Sequence, residues 1–129
     1  MARLRVLIAE QNPAIRRTLS DLLREQYDVV AEVADGKLAC NRVAEAEPDI
    51  ILLGVSLAGM TGFEIARRLR QSGCPAKIIL VSLHESQDMV RAAFAVGASG
   101  YVFMSRLLDD LPAAIEAVSH GQVFEPQHS

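Results

Sequence analysis

Glu10, Gln11, Gly54, Ser82 and Met104 each fall just after a short apolar run, and together they offer one carboxylate, one amide, one hydroxyl and one thioether. In an open parallel sheet, ligands bind beyond the carboxyl ends of the strands, so these positions are where chemistry is to be sought. Their repertoire is narrow. A serine nucleophile needs a base beside it, and no His, Lys or second acid follows these runs to activate Ser82. A hard divalent cation needs carboxylates backed by further oxygen ligands, and Glu10 stands alone. Asp49 cannot substitute, because it begins the run that Gly54 ends, roughly 16 Å away at about 3.3 Å per residue. Ser56 is closer but likewise lacks a base. The rim reads as inert, with no catalytic residue, no metal site and no resident cofactor.

The elements that must carry this rim follow from the alternation of short β-rich runs with stretches of helical period, the pattern of repeated βαβ units. Strands are expected at residues 4–9, 28–33, 50–53, 77–81 and 100–103. The third is apolar on both faces, which places it at the sheet centre. Asn12-Pro13 opens a first helix that buries Ile15, Leu19, Leu22 and Leu23. Residues 37–45 form a second helix, burying Leu38, Ala39 and Val43. After a loop over 54–62, a third helix at 63–70 buries Phe63, Ala66 and Leu69 and turns Arg67, Arg68 and Arg70 outward. A fourth spans 86–96, closed by Gly97. The last, at about 108–119, buries Leu111, Ala114, Ile115 and Val118, and tolerates Pro112 only in its first turn.

Composition sets the outer bounds. The 129 residues suit one domain, and with half of them hydrophobic the chain builds a core without disulfides or metals. Lys and Arg total 13 against 16 acidic residues, a net charge of -3. Arg16, Arg17, Arg24 and the 67–70 arginines are interleaved with acids and belong on solvated helix faces, so this segment is not expected to bind nucleic acid directly. Cys40 and Cys74 match no disulfide or zinc spacing and fit a reducing, cytoplasmic setting. His84, His120 and His128 are scattered surface residues. No apolar stretch approaches the roughly 20 residues of a membrane span, and Glu10 interrupts the first apolar run too early for a signal peptide.

Three segments carry a resemblance: Val6-Leu-Ile-Ala-Glu-Gln-Asn-Pro13, Pro48-Asp-Ile-Ile-Leu-Leu-Gly-Val-Ser-Leu-Ala-Gly-Met-Thr-Gly62, and Ala76-Lys-Ile-Ile-Leu-Val-Ser82 with Ala95-Val-Gly-Ala-Ser-Gly-Tyr-Val102. The chain resembles a response-regulator receiver domain of two-component signalling over almost its whole length. The Gly-Ala-Ser-Gly-Tyr string is similar to receivers that precede a LuxR-type helix-turn-helix. The resemblance implies a flavodoxin-like (βα)5 three-layer α/β sandwich, its five parallel strands in the order 2-1-3-4-5. It implies a receiver-like unit over residues 1–121, with 122–129 a tail or truncated linker.

In that family a phosphoryl group passes from a histidine kinase to an aspartate beside Mg2+. Carried over by resemblance, the acidic pair falls on Glu10 and Gln11, the phosphoacceptor on Gly54, the hydroxyl on Ser82, the lysine on Met104 and the aromatic switch on Tyr101. Only Ser82 and Tyr101 keep the family's chemistry. The expectation is a non-enzymatic signalling module that works by protein contact without aspartyl phosphorylation, as a stand-alone protein or as the regulatory domain of a LuxR-type transcription factor. Its partner surface, for a homodimer or an output protein, is expected on the fourth helix, fifth strand and fifth helix, with Gln87, Arg91, Arg106, Asp110 and Glu116 exposed there. Met104 is expected to fill the space left by the missing aspartate. The rival reading is a small-molecule sensor whose remodelled rim takes an apolar or neutral ligand, and a conventional phosphorelay receiver comes third.

Overall fold

In the computed structural model, which describes residues 3–126, each short apolar run is a strand followed by a helix that crosses back over the sheet. The strands are β1 (Arg5–Ala9), β2 (Asp28–Val33), β3 (Ile50–Gly54), β4 (Lys77–Ser82) and β5 (Gly100–Phe103). The helices are α1 (Pro13–Leu23), α2 (Gly36–Ala46), α3 (Gly62–Gln71), α4 (Gln87–Ala95) and α5 (Leu107–Ser119). All strand pairs are parallel, in the order β2-β1-β3-β4-β5, which is the expected 2-1-3-4-5 arrangement. Every residue of β3 is buried, as its two-sided apolar sequence requires.

Side-chain alternation along the strands makes two cores. Leu7, Ile51, Leu53, Ile78, Leu80, Tyr101 and Phe103 pack against α2, α3 and α4. Val6, Ile8, Ile50, Leu52, Ile79, Val81 and Val102 pack against α1 and α5 through Leu19, Leu23, Leu111, Ile115 and Val118. Truncating a central residue such as Leu52 to Ala costs about 2–5 kcal/mol. Helix starts are fixed by side-chain caps. Asn12 accepts from the N–H groups of Ala14 and Ile15, and Asp35 accepts from that of Leu38. Thr61 and Glu64 form a capping box at α3. Each such cap is worth about 1 kcal/mol.

The structure corrects several expectations. Leu22 and Leu38 are not buried but 39% and 48% exposed, because the apolar stripes of α1 and α2 are wider than the contact each helix makes with the sheet. Ser20 is buried instead, receiving a hydrogen bond from Arg24 Nε and donating one to Glu32. In α3 Ala66 and Leu69 are buried as expected, Ile65 is buried with them, and Phe63 is only half-buried. Arg70 does not point into solvent. Its guanidinium donates to the carbonyls of Gly97 and Cys74 at 2.9 and 2.8 Å, tying the ends of α3 and α4 together.

The expected 54–62 loop contains a small antiparallel ladder, Ser56–Leu57 with Met60–Thr61. Pro112 lies beyond the first turn of α5, which starts at Leu107 after a 3-10 turn over Met104–Arg106. The bond it forfeits is to the Leu108 carbonyl, and both residues are exposed, so water can reach that oxygen. Past Gly121 the chain stays on the sheet edge. Phe124 bridges to Gly100, donating from its N–H to Ser99 O and accepting from Tyr101 N–H, and Pro126 is buried. Among the described residues no helix is long and apolar enough to cross a membrane.

Candidate functional site

The register of the central strands sets the site. Ala9 of β1 lies beside Leu53 of β3, so the next residue, Glu10, falls beside Gly54. Gly54 has no side chain, and Glu10 uses the space. A Cβ built on Gly54 would sit 3.1 Å from Glu10 Cδ and closer still to Oε1. Glu10 as a whole is 9% exposed, and its Oε2 accepts from Asn12 N–H at 2.8 Å. Burial raises the Glu10 pKa above its ordinary value; the Asn12 amide, the Arg16 charge and the Gln11 amide oppose this. Arg16 does not pair with the carboxylate: its Nη1 donates to the Glu10 backbone carbonyl at 2.8 Å. The expectation that Met104 occupies the space beside Gly54 is therefore corrected, because the end of the neighbouring strand β1 already places the Glu10 carboxyl there.

Gly54 is also held from the other side. Gly62 opens α3 with its backbone against the Gly54 carbonyl, so close that a Cβ on Gly62 would collide with that oxygen. Gly62 N–H donates to Val55 O at 2.7 Å, which closes the small ladder. Gly62 allows the β3 end and the α3 start to touch, a close approach that only glycine permits there.

Glu10, Gln11, Ser82 and Met104 come together around one open recess of about 550 Å3. Gly54 does not line it. Sequence reasoning missed Asn12, Ile15, Val55, Leu83, His84 and Met89, which also line the recess. Asn12 was legible as a helix cap but not as a ligand of Glu10. Ser82 is buried, and its Oγ accepts from His84 N–H at 2.9 Å. Tyr101 lies beneath, fully buried and edge-on to Phe103 with ring centroids 5.8 Å apart. Among the described residues its hydroxyl makes no hydrogen bond of good geometry, although Ser82 stands close enough to act on it; burial raises the phenol pKa, and the Ser82 side chain opposes this. An unpartnered buried hydroxyl costs about 1–3 kcal/mol.

A hard divalent cation does not fit these residues. It requires several converging oxygen donors, and the rim supplies one carboxylate, already engaged by Asn12, beside a neutral amide. Among the described residues no three His, Cys, Asp or Glu side chains gather as a metal site. A larger hollow of about 750 Å3 lies at the opposite end of the sheet, between α2 and α3. Cys40 and Cys74 line it as free thiols, and burial pushes the Cys40 thiol up, away from the reactive thiolate. Asp49 is there too, accepting from Arg5 N–H at 2.8 Å, remote from Gly54 as expected.

Of the five surface residues expected on α4 and α5, Gln87, Arg91, Arg106 and Glu116 are exposed. Asp110 is not: its side chain is 13% exposed and sits 3.4 Å from Arg106 Nε. Arg91 pairs with Asp88, and Glu116 with His120. Such exposed pairs contribute little to stability.

The fold, with its recess at the strand ends, is matched by known proteins. The chain belongs to the response regulator receiver domain family, whose model matches residues 6–116. It is 34% identical to a two-component response regulator of the LuxR family from Aurantimonas sp. SI85-9A1, with a TM-score of 0.89 over 95% of this chain and 89% of that one. The signal receiver domain of a NarL response regulator from Mycobacterium tuberculosis is 25% identical, with a TM-score of 0.85 over 92% of this chain and 98% of that one. The nitrate/nitrite response regulator protein NarP of Escherichia coli (strain K12) is 32% identical over 90% of this chain and 55% of its own length. The chain spans 52% to 64% of the first curated relatives it matches. The family is one of transcriptional response regulators, not of enzymes.

Proposed function

We propose that this receiver domain of a NarL/LuxR-type regulator passes its signal by protein contact, without aspartyl phosphorylation, and that Gly54 stands at the phosphoacceptor position. The observation that carries this reading is the Glu10 carboxyl lying where a side chain on Gly54 would have to be. Phosphoryl transfer needs an in-line nucleophile and cationic stabilisation of the equatorial oxygens. Gly54 supplies no nucleophile, and Met104, at the position the resemblance gives to lysine, supplies no cation.

The partner surface in this reading is α4, β5 and α5, presented by Gln87, Arg91, Arg106 and Glu116. A twofold homodimer is the simplest closed arrangement. By similarity to relatives named as transcriptional regulators, the domain is read as the regulatory part of a LuxR-type transcription factor in the cytoplasm, a setting that suits two free cysteines. Incubation with acetyl phosphate and Mg2+ tests the central point. The intact mass is expected to stay unchanged, and gain of a phosphoryl group overturns the reading. Gly54→Asp alone is expected to remain unlabelled, since Gln11 and Met104 still withhold metal and cation.

A second reading, ligand sensing, is favoured by one observation: the recess sets apolar side chains, Ile15, Val81, Leu83, Met89 and Met104, beside the nearly buried Glu10.

A further inference from the structure

Glu10 is a buried carboxyl that feels the Arg16 charge without forming an ion pair with it. The residue is nine-tenths buried, it forms no ion pair among the described residues, and the Arg16 guanidinium is spent on a backbone carbonyl. A carboxylate in such a place costs free energy unless a cation joins it. No Lys or Arg lines the recess; Met104 offers a thioether in place of an ammonium. Ile15, Val81, Leu83, Met89 and Met104 give its wall an apolar part, beside the polar Gln11, Asn12, Ser56, Ser82, His84 and Ser86. Leu83 is 69% exposed at the rim, an apolar side chain with nothing over it.

We infer that the recess is a binding site for a small organic monocation, its ammonium group at Glu10 and its apolar body against Met104, Met89 and Leu83. The inference deepens the ligand-sensing reading and rests on the rim's not being a metal site. One carboxylate matches one positive charge; a divalent ion would keep a net charge and lack oxygen donors. The volume, about 550 Å3, lies in the range of small-molecule sites and holds a single-ring ligand with room for water. Thioether side chains suit such a site because they adapt to irregular apolar bodies and make favourable sulfur–aromatic contacts. Selectivity follows from charge: an anion meets Glu10, and an uncharged analogue leaves the carboxylate unpaired.

The test uses the 15N-labelled chain titrated with benzylammonium chloride, with benzyl alcohol and MgCl2 as parallel arms. Saturable shifts of the Asn12, Gly54 and Ser82 amides are expected at millimolar benzylammonium, and binding of benzyl alcohol about tenfold weaker or less. Glu10→Gln, which keeps the shape and removes the charge, is expected to lose at least about tenfold in affinity. Met104→Lys, which brings an ammonium into the same recess, is expected to do the same without touching Glu10. Equal binding of the alcohol reduces the site to an apolar hollow and overturns the inference, as does silence at millimolar benzylammonium. Mg2+ shifting the same amides overturns the inference together with the reading of the rim, whereas a silent Mg2+ arm leaves that reading standing by itself.

Discussion

Glu10 and Gly54 share one side-chain volume: the carboxyl from the end of β1 lies over the bare Cα at the end of β3, within contact distance of any Cβ placed there. Gly54→Ala must therefore displace a carboxyl that is buried and bonded to Asn12. The methyl group gains some backbone entropy in a strand, up to about 1 kcal/mol. Disturbing the buried carboxyl costs more, so a net loss of about 1–2 kcal/mol is expected, a fall in Tm of several degrees. In a Glu10→Ala background the same substitution should cost nothing. Thermal melts of the four proteins in this cycle measure the coupling directly, and additive effects would show that the two residues do not compete for space.

Protonation of Glu10 gives a second prediction. Its folded pKa is raised by burial above the ordinary 4.5, so the folded state binds this proton more tightly than the unfolded chain. The stability it contributes is fully present below the unfolded value and is lost as pH rises through the folded value. Glu10→Gln keeps an oxygen for the Asn12 N–H and removes the charge. Urea unfolding of both proteins from mildly acidic to neutral pH should show the variant gaining on the native chain as pH rises. A gap that narrows towards neutrality would contradict the assigned direction.

The sheet was legible because strand period and length leave little freedom: β2 and β5 occupy the predicted residues, and β1, β3 and β4 differ by a residue at one end. Helix faces were less legible. Leu22 and Leu38 satisfy the helical period yet lie outside the contact, since a period gives a direction but not the width of the surface it meets. The rim residues were found from strand ends alone. What escaped was the fate of Glu10, which depends on register between strands that are forty residues apart in the chain. The signal was present in outline, for two adjacent strands ending in the same row place the residues after them side by side.

Arg70 holds two loops by geometry rather than by charge. Nε and Nη1 reach the carbonyls of Gly97 and Cys74, and its stem covers Gly97, where a Cβ would collide with it. Arg70→Ala leaves both carbonyls short of a donor and is expected to cost about 1–3 kcal/mol. Arg70→Lys should recover little, because a single ammonium cannot reproduce the guanidinium fork. Chemical denaturation of the two variants checks this, and a lysine variant as stable as the native protein would reduce Arg70 to a point charge.

Phe124 ties the chain after α5 to β5, and through β5 to Tyr101. Its N–H donates to Ser99 O at 2.9 Å and its carbonyl accepts from Tyr101 N–H at 3.1 Å, while its half-buried ring packs with the α1–α5 core. At Gly100 a Cβ would be in ordinary contact with Phe124 Cβ at 3.6 Å and tight only against Ile79 at 3.2 Å. Phe124→Ala removes about half of the burial of a core aromatic, so a loss of about 1–2 kcal/mol is expected. The diagnostic readout is hydrogen exchange. The Tyr101 amide, which bonds only outward to this segment, should lose protection by more than the global destabilisation, whereas the Val81 amide at the end of the neighbouring strand should follow the global value. Equal losses at both amides would mean that 122–126 unfolds together with the sheet, and that β5 is not separately released when this segment lifts.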